Sequence, residues 1–400
     1  MSEFFKKIKY VKPRDVGHIF LFLFALPIVF FKKRKRKDLW LICDNQNEAD
    51  DNGFVFFKFI RTNHPEQDAV FAAGKNCGRK KEIEALGETV TYGSFKHWVL
   101  YLSARVNISS QKSGKPNFAV CHLLEVYLGL IKNRVFLQHG VILTNIEFLQ
   151  FKNTKMNMFL TSTKREYDFV KKHYGYPEKS VVLTGQPRFD RLHNFNTIKG
   201  RILIMPTWRQ WIGEESFSKN RAEEKNRFMH TEYFKRWNCL LSSEKLKTLC
   251  DTYGLKIVFC LHREATRFTD CFGPYGNNVE VKKITDTRLS ELLKTAEFLI
   301  TDYSSIQTDF AYMKKPMAYY HFDYPRFSKE HYKKGYFDYE RDGFGPIVFS
   351  EEDLVSELKA YAENGFKNTE KYLSRCNSFY TLYDDKNSQR VFEKIKERWS

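Results

Sequence analysis

Glu297–Pro316 reads Glu-Phe-Leu-Ile-Thr-Asp-Tyr-Ser-Ser-Ile-Gln-Thr-Asp-Phe-Ala-Tyr-Met-Lys-Lys-Pro. Phe298–Ile300 is a short, uniformly apolar run, the pattern of a strand buried on both faces. Thr301–Ser305 is a polar turn. A helix then opens, with Ser304 or Ser305 placed to cap it and Asp309 one turn in. Hydroxyls and free backbone N–H groups thus gather where a strand gives way to a helix, a natural seat for a phosphate. In open parallel α/β sheets, ligands bind beyond the carboxyl ends of the strands. This one stretch therefore predicts a fold class and part of a site.

The same alternation extends in both directions. Toward the carboxyl end, Met317–Tyr320 is another strand, Gly335–Val348 reads as a loop, and Asp353–Asn364 and Asn387–Trp399 are helices. Toward the amino end, Arg201–Met205, Lys256–Leu261 and Val279–Lys282 are strands and Tyr233–Tyr253 is a helix. The charged residues 214–228 read as an excursion or mobile loop. Before a linker at Phe195–Lys199 the pattern runs once already. Strands are expected at Leu39–Cys43, Ala69–Ala73, Val90–Tyr92, Val106–Ser109, Val135–Gln138 and Val181–Thr184. Helices are expected at Asp51–Asn63, Lys80–Leu86, Phe95–Ser103 and Leu123–Ile131. The reading is α/β: two Rossmann-like parallel-sheet domains, 38–194 and 200–385, facing a cleft, with a closing helix in 386–400.

Residues 1–37 are of another texture. Ile19–Phe31 is apolar throughout, and six bases follow at Lys32, Lys33, Arg34, Lys35, Arg36 and Lys37. Thirteen helical residues reach about 20 Å, short of a hydrocarbon core of about 30 Å. A signal peptide would carry its bases ahead of the apolar run and a small-residue cleavage site after it. The segment reads instead as an interfacial anchor whose bases meet an anionic leaflet, placing the protein peripherally on the cytoplasmic face of the membrane. The competing reading is a buried first helix beside a solvated charge run.

The chain has 400 residues and a formal charge of +18, from 66 Lys and Arg against 48 Asp and Glu. That surplus implies an anionic partner. Eight cysteines include no C-x-x-C pair, which removes zinc ribbons and thioredoxin-like redox sites and fits reduced thiols. No RNP, KH or zinc-finger pattern is present, so nucleic acid is not the expected partner. Walker A and G-x-G-x-x-G loops are missing, as is a D-x-D pair for a metal–nucleotide diphosphate. No cofactor and no obligatory metal are expected, so cationic side chains and dipoles would neutralise a diphosphate.

The polar residues with chemical potential all fall where predicted strands end. His139, beside Gly140, ends one strand and could act as general base. Thr207 and Arg209 follow another, and the Arg209 fork suits a phosphate. His262 ends a third and could hold a diphosphate oxygen or protonate a leaving group. Singly each is better read as a structural histidine, a salt bridge or a cap. Together, in two sheets, they argue for a phosphorylated donor.

The ordered motifs Leu-Gln-His-Gly at 137–140, Gly-Gln-Pro-Arg-Phe-Asp at 185–190, Met-Pro-Thr-Trp-Arg at 205–209, Leu-His-Arg at 261–263, Leu-Ile-Thr-Asp-Tyr-Ser-Ser-Ile-Gln-Thr-Asp-Phe at 299–310 and Lys-Lys-Pro at 314–316 go further. With Asn47–Gly53, they resemble the CDP-glycerol:glycerophosphotransferase family of teichoic-acid synthesis, over roughly 38–385. The resemblance implies a GT-B fold and transfer of glycerol phosphate from CDP-glycerol to an acceptor hydroxyl with release of CMP. It implies His139 as base, and Arg209, His262, Ser304, Ser305 and Asp309 about the donor, with Asp309 alternatively structural. The acceptor is expected to be lipid-linked. Gln307-Thr308 is more polar than the family's usual apolar or aromatic pair, which leaves the identity of the polyol open. Lacking the long amino-terminal region of the large polymerases, the chain resembles the short, primase-like or capsule-type members. The rivals are a CDP-ribitol-dependent transferase, a nucleotide-sugar GT-B glycosyltransferase, and a non-enzymatic binder of anionic surfaces.

Overall fold

A computed structural model describes residues 12–47, 49–130, 133–330 and 334–399. Two compact units emerge: Met1–Val141 with Ile146–Arg191 and Leu382–Ser400, and Leu192–Thr381 with Ile142–Asn145. The closing helix Asn387–Trp399 therefore belongs to the first unit.

The first unit begins with helix α1 (Pro13–Lys35), then β1 (Trp40–Cys43), α2 (Asn52–Asn63), β2 (Ala69–Ala73), β3 (Thr89–Thr91), α3 (Phe95–Ser103), β4 (Val106–Ser109), β5 (Arg134–Phe136), β6 (Met158–Thr161) and β7 (Val181–Leu183). All seven strands are parallel, in the order β3-β2-β1-β4-β5-β6-β7. Strand order reverses between β1 and β4, the switch point at which doubly wound sheets bind ligands. Period-two alternation sends Trp40 and Ile42 to one face, where Phe54, Phe56, Phe57, Phe71 and Phe392 pack. Leu41 and Cys43 go to the other, against Trp98, Leu100 and Tyr101.

The second unit repeats the plan. Its strands are β8 (Arg201–Ile204), β9 (Lys256–Cys260), β10 (Val279–Lys282), β11 (Phe298–Thr301), β12 (Met317–Tyr320) and β13 (Ile347–Val348). They lie parallel in the order β10-β9-β8-β11-β12-β13, with the switch point between β8 and β11. Helix α4 (Ile306–Tyr312) follows β11.

Several expectations are corrected. β6 falls outside the strands expected above: three apolar residues and a threonine ahead of a charged helix carry little periodicity. β13 lies inside the segment expected to be a loop. Residues 214–228 are not a loop, since helices Gln210–Glu215 and Arg221–His230 cover most of them. Phe228 is buried there and stacks on Phe268 at 4.1 Å, so one apolar anchor outweighs the polar surroundings. The expected helix Tyr233–Tyr253 is two, broken where Ser243 takes an extended backbone. In the expected helix Leu123–Ile131, a π-type turn spans Leu123–Tyr127, and Ile131 lies outside the described residues.

α1 packs one face into the domain. Ala25 and Val29 are buried in the α3 core, Phe22 meets Trp98 at 5.8 Å, and Trp98 Nε1 donates to His18 Nδ1 at 3.0 Å. The opposite face is largely exposed to solvent, with Phe24 66% and Phe30 64% exposed. The helix is thus part of the domain, not a detachable anchor. Among the described residues no helix is long and apolar enough to cross a membrane. Arg36, expected in a membrane-binding basic patch, is engaged within the protein. Its Nε donates to Asp68 at 2.7 Å and its Nη1 lies 3.1 Å from Glu88. Lys37 is exposed, while the side chains of Lys32, Lys33, Arg34 and Lys35 lie outside the described residues.

Candidate active site

In the first unit the site is built around the switch point. β1 ends at Asp44 and β4 runs into Ser110, whose hydroxyl donates to Asp44 Oδ1 at 2.6 Å. Asp44 also accepts the N–H groups of Gly53 and Phe54, both at 2.8 Å, and so caps α2 from outside. A Cβ on Gly53 would stand 2.3 Å from that carboxylate, which accounts for glycine there. Burial and the charge of Asp51 push Asp44 up to about 7. The residue in the cap position, Asp51, makes no side-chain cap. Its carboxylate is committed elsewhere.

Asp51 Oδ2 lies 2.5 Å from His139 Nδ1, and Asp51 Oδ1 accepts from Arg188 Nη1 at 3.1 Å. Although burial opposes it, the interactions with His139 and Arg188 hold Asp51 below the ordinary carboxylate range. The charge of Asp51, against the cost of desolvation, raises His139 above 6.5. With Nδ1–H donated to the carboxylate, Nε2 carries the lone pair. His139 is 62% exposed in its side chain while Asp51 is 12% exposed, so an open imidazole is held by a sheltered acid. That arrangement suits a general base.

His139 is aimed by its neighbour. Gln138 adopts φ 64°, a left-handed conformation costing of order 1–3 kcal/mol for a non-glycine residue. Buried bonds hold it there: its Nε2 donates to Leu160 O and, at 3.0 Å, to Glu166 Oε1, while its carbonyl accepts Asn52 Nδ2 at 2.8 Å. Asn52 Oδ1 in turn accepts the Arg188 N–H at 2.9 Å, and Arg188 Nη1 donates to the His139 carbonyl. The stretches 47–53, 137–140 and 185–190, far apart in sequence, thus converge on one histidine. Asp190 has a different task, accepting the N–H groups of Asn387 and Ser388 at the start of the closing helix.

In the second unit Asp302 ends β11 at its switch point. Asp302 Oδ1 accepts the N–H groups of Thr207, after β8, at 2.8 Å and of Tyr303 at 2.6 Å. Arg209 is fully buried. Its Nη1 lies 2.9 Å from Asp302, its Nε and Nη2 donate to Asp323 at 2.8 and 3.0 Å, and its Nη1 donates to Thr207 O at 2.7 Å. The guanidinium also lies 4.8 Å from the Tyr303 ring centroid. Against the desolvation penalty, the two carboxylates raise Arg209 still further above its ordinary value. The sequence-based expectation that Arg209 grips a phosphate directly is therefore corrected: both edges of the fork are used and no face is open. Arg209 positions the turn that carries Tyr303 to Ser305.

Around that turn, Ser305 is exposed and Ser304 is nearly buried, its Oγ 3.4 Å from the Ile306 N–H. Ser305 occupies the cap position of α4 without a side-chain cap bond. α4 has seven residues, so its dipole is small and an anion there would rest on hydroxyl and N–H donors. Asp309 is buried. Thr207 presents its backbone N–H to Asp302. Gln307, whose polarity stood out in the sequence, is buried between Tyr319 and Tyr339, accepting the Tyr319 hydroxyl at 2.6 Å. Its polarity serves the core. His262 is half-buried and its Nδ1 accepts the Glu264 N–H at 3.3 Å, which leaves the proton on Nε2. Among the described residues no cluster of His, Cys, Asp or Glu could hold a metal ion, and Asp302 is taken up by Arg209 and Thr207.

Both sheets have the Rossmann strand order, with polar groups at the switch point where such sheets bind ligands. The chain belongs to the CDP-glycerol:poly(glycerophosphate) glycerophosphotransferase family, whose model matches residues 24–397. It is 31% identical over 370 residues to the minor teichoic acid biosynthesis protein GgaB of Bacillus subtilis (strain 168), covering 90% of this chain and 40% of that protein. It is 23% identical to the teichoic acid poly(glycerol phosphate) polymerase of the same organism, covering 90% of this chain and 49% of that one. The chain thus spans half or less of the length of these relatives. In fold it is similar to the wall teichoic acid polymerase TagF, with a TM-score of 0.67 and 17% identity over 96% of this chain and 100% of that chain.

Proposed function

We propose that this protein transfers glycerol phosphate from CDP-glycerol to a hydroxyl of a lipid-linked saccharide or polyol-phosphate acceptor in teichoic-acid or capsule-type polymer synthesis. The observation that carries the reading is His139 itself: an open imidazole with its Nε2 lone pair available, held by the sheltered Asp51 carboxylate at 2.5 Å.

The acceptor oxygen attacks the phosphorus bonded to the glycerol oxygen. The bond from that phosphorus to the bridging diphosphate oxygen breaks, and CMP leaves with the electron pair. The acceptor's proton passes to His139 Nε2. Arg188 and Asp51 hold the imidazole in orientation, and the Asp51 carboxylate stabilises the imidazolium that forms. The second unit is assigned to the donor. Ser304, Ser305 and the N–H groups of their turn contact the diphosphate, and His262 donates its Nε2–H to a diphosphate oxygen as charge builds there. Thr207 and Arg209 shape the turn. No step calls on a metal ion. The exposed face of α1, with Lys37 beyond its end, rests on the anionic leaflet, where a lipid-linked acceptor would be met.

The test is a donor panel. Incubation with CDP-glycerol, CDP-ribitol and UDP-sugars over lipid-linked acceptors is expected to release CMP from CDP-glycerol. Release from CDP-ribitol alone would assign the ribitol reaction, and UDP release would assign a glycosyltransferase.

A further inference from the structure

Gln111 lies two residues past β4, at the switch point of the first unit. Its Nε2 reaches Asp51 Oδ2 at 3.4 Å, the same oxygen that lies 2.5 Å from His139 Nδ1. A good N–H···O bond spans about 2.7–3.2 Å, so the imidazole holds that oxygen and the amide only leans on it. The other oxygen of Asp51 accepts from Arg188 at 3.1 Å. The dyad is complete without Gln111, so holding Asp51 does not account for the amide.

The loop that delivers the amide is fixed from both sides. Ser109 Oγ accepts the Gln111 N–H at 3.0 Å and donates to the Gln111 carbonyl at 2.7 Å, and the Gly114 N–H donates to that carbonyl at 3.1 Å. A Cβ on Gly114 would stand 1.8 Å from Ser109 Oγ, so the turn requires glycine. Just ahead of Gln111, Ser110 is tied to Asp44. Just beyond the turn, Lys115 is buried, and its Nζ lies 2.6 Å from the buried Glu125, which also takes Arg134 at 2.5 Å and the Tyr101 hydroxyl. Pulling one member from such a buried ion cluster is costly, which makes the loop rigid. A rigid main chain carrying a loosely bonded, half-buried amide is the arrangement of a ligand contact, positioned in advance and released at small cost.

What the amide would hold follows from its chemistry. It donates and accepts, carries no charge, and converges with the imidazole on one carboxylate oxygen. The pair can therefore address two neighbouring oxygens of one small group. An imidazole alone takes a proton from a hydroxyl without fixing the direction of attack, whereas a second hydrogen bond beside the reacting oxygen fixes it. Two adjacent hydroxyls, a 1,2-diol, match these two groups. A phosphate would be matched better by a cation, and Arg188 Nη1 is already committed to Asp51 and to the His139 carbonyl.

We propose that Gln111 is an acceptor-binding, specificity-determining residue: its amide bonds the hydroxyl adjacent to the one whose proton passes to His139, so the first unit selects acceptors ending in a 1,2-diol. The proton transfer rests on the proposed function; recognition of the diol is tested without it.

The test pairs a change in the protein with a change in the ligand. The probes are a water-soluble glycerol phosphate trimer ending in a 1,2-diol and the same trimer lacking the terminal secondary hydroxyl. Calorimetric titration of the full chain is expected to show the deoxy trimer binding about tenfold more weakly, the worth of one hydrogen bond whose partner is left unpaired. Gln111→Met, close in shape and checked by thermal melting, is expected to bind both trimers equally. With CDP-glycerol as donor, the variant's acceptor KM should rise about tenfold while the acid limb of its pH profile stays in place, because Asp51 and Arg188 are untouched. A folded variant that still prefers the diol overturns the contact, as does a wild type that binds both trimers equally or neither. An acid limb that moves while the diol preference is kept assigns Gln111 to Asp51 instead and overturns it too. If the preference appears in the wild type and vanishes in the variant, yet no CMP is released from any CDP-polyol, the contact stands and the assigned reaction fails.

Discussion

Replacing His139 with alanine is expected to lower turnover by about 10²–10⁴-fold, the range contributed by a positioned acid–base group. The fold should survive, because the side chain is largely exposed and its removal opens no cavity. Asp51 keeps Arg188 as partner, so no buried charge is stranded. Donor affinity should hardly change, since donor contacts are assigned to the second unit. Single-turnover rates with donor affinity measured separately check both halves. A variant with near-normal turnover removes His139 from the chemistry, and one that loses donor affinity instead moves it to binding.

Arg209→Ala is expected to act through stability. It would leave Asp302 and Asp323 buried without their shared cation, and breaking such an arrangement costs about 3–5 kcal/mol. Lysine should not rescue it, because one ammonium cannot replace a planar fork bonded along two edges. Urea unfolding should show the midpoint lowered, with loss of donor binding following the loss of structure. A variant of wild-type stability that no longer binds donor would instead restore the direct phosphate contact expected from the sequence.

The contrast between these two residues shows what the chain makes legible. Both stand at carboxyl ends of strands, and both belong to ordered motifs. Strand ends, glycines and local polarity are local properties, so the parallel sheets could be read directly and candidate site residues marked at their ends. Partners are not local. Asp323 lies 114 residues from Arg209, and Asp51 lies 88 from His139. The roles of Asp51, Asn52 and Arg188 were missed although they sit inside quoted motifs. Asp51 looks like the start of a helix, and only the structure shows Asp44 taking over the capping that frees it. The clue available was an acidic cap followed by asparagine and glycine, a position where a cap carboxylate has no need of such a closely packed successor.

α1 teaches the same lesson at a larger scale. Its composition supports both an anchor and a core helix, because a thirteen-residue apolar run covers every face. Which face is bare depends on Trp98, contributed by another element.

The most direct test of the central claim is the pH dependence of CMP release from CDP-glycerol, for the wild type and for Asp51→Asn. His139 can take the acceptor's proton only when neutral, and Asp51 raises it above 6.5. Activity should therefore fall as pH drops through a value above 6.5. Removing the negative charge should move that acid limb to lower pH while reducing the maximal rate, because the imidazole loses its anchor. An acid limb that stays in place in Asp51→Asn, with an undiminished rate, would contradict the account.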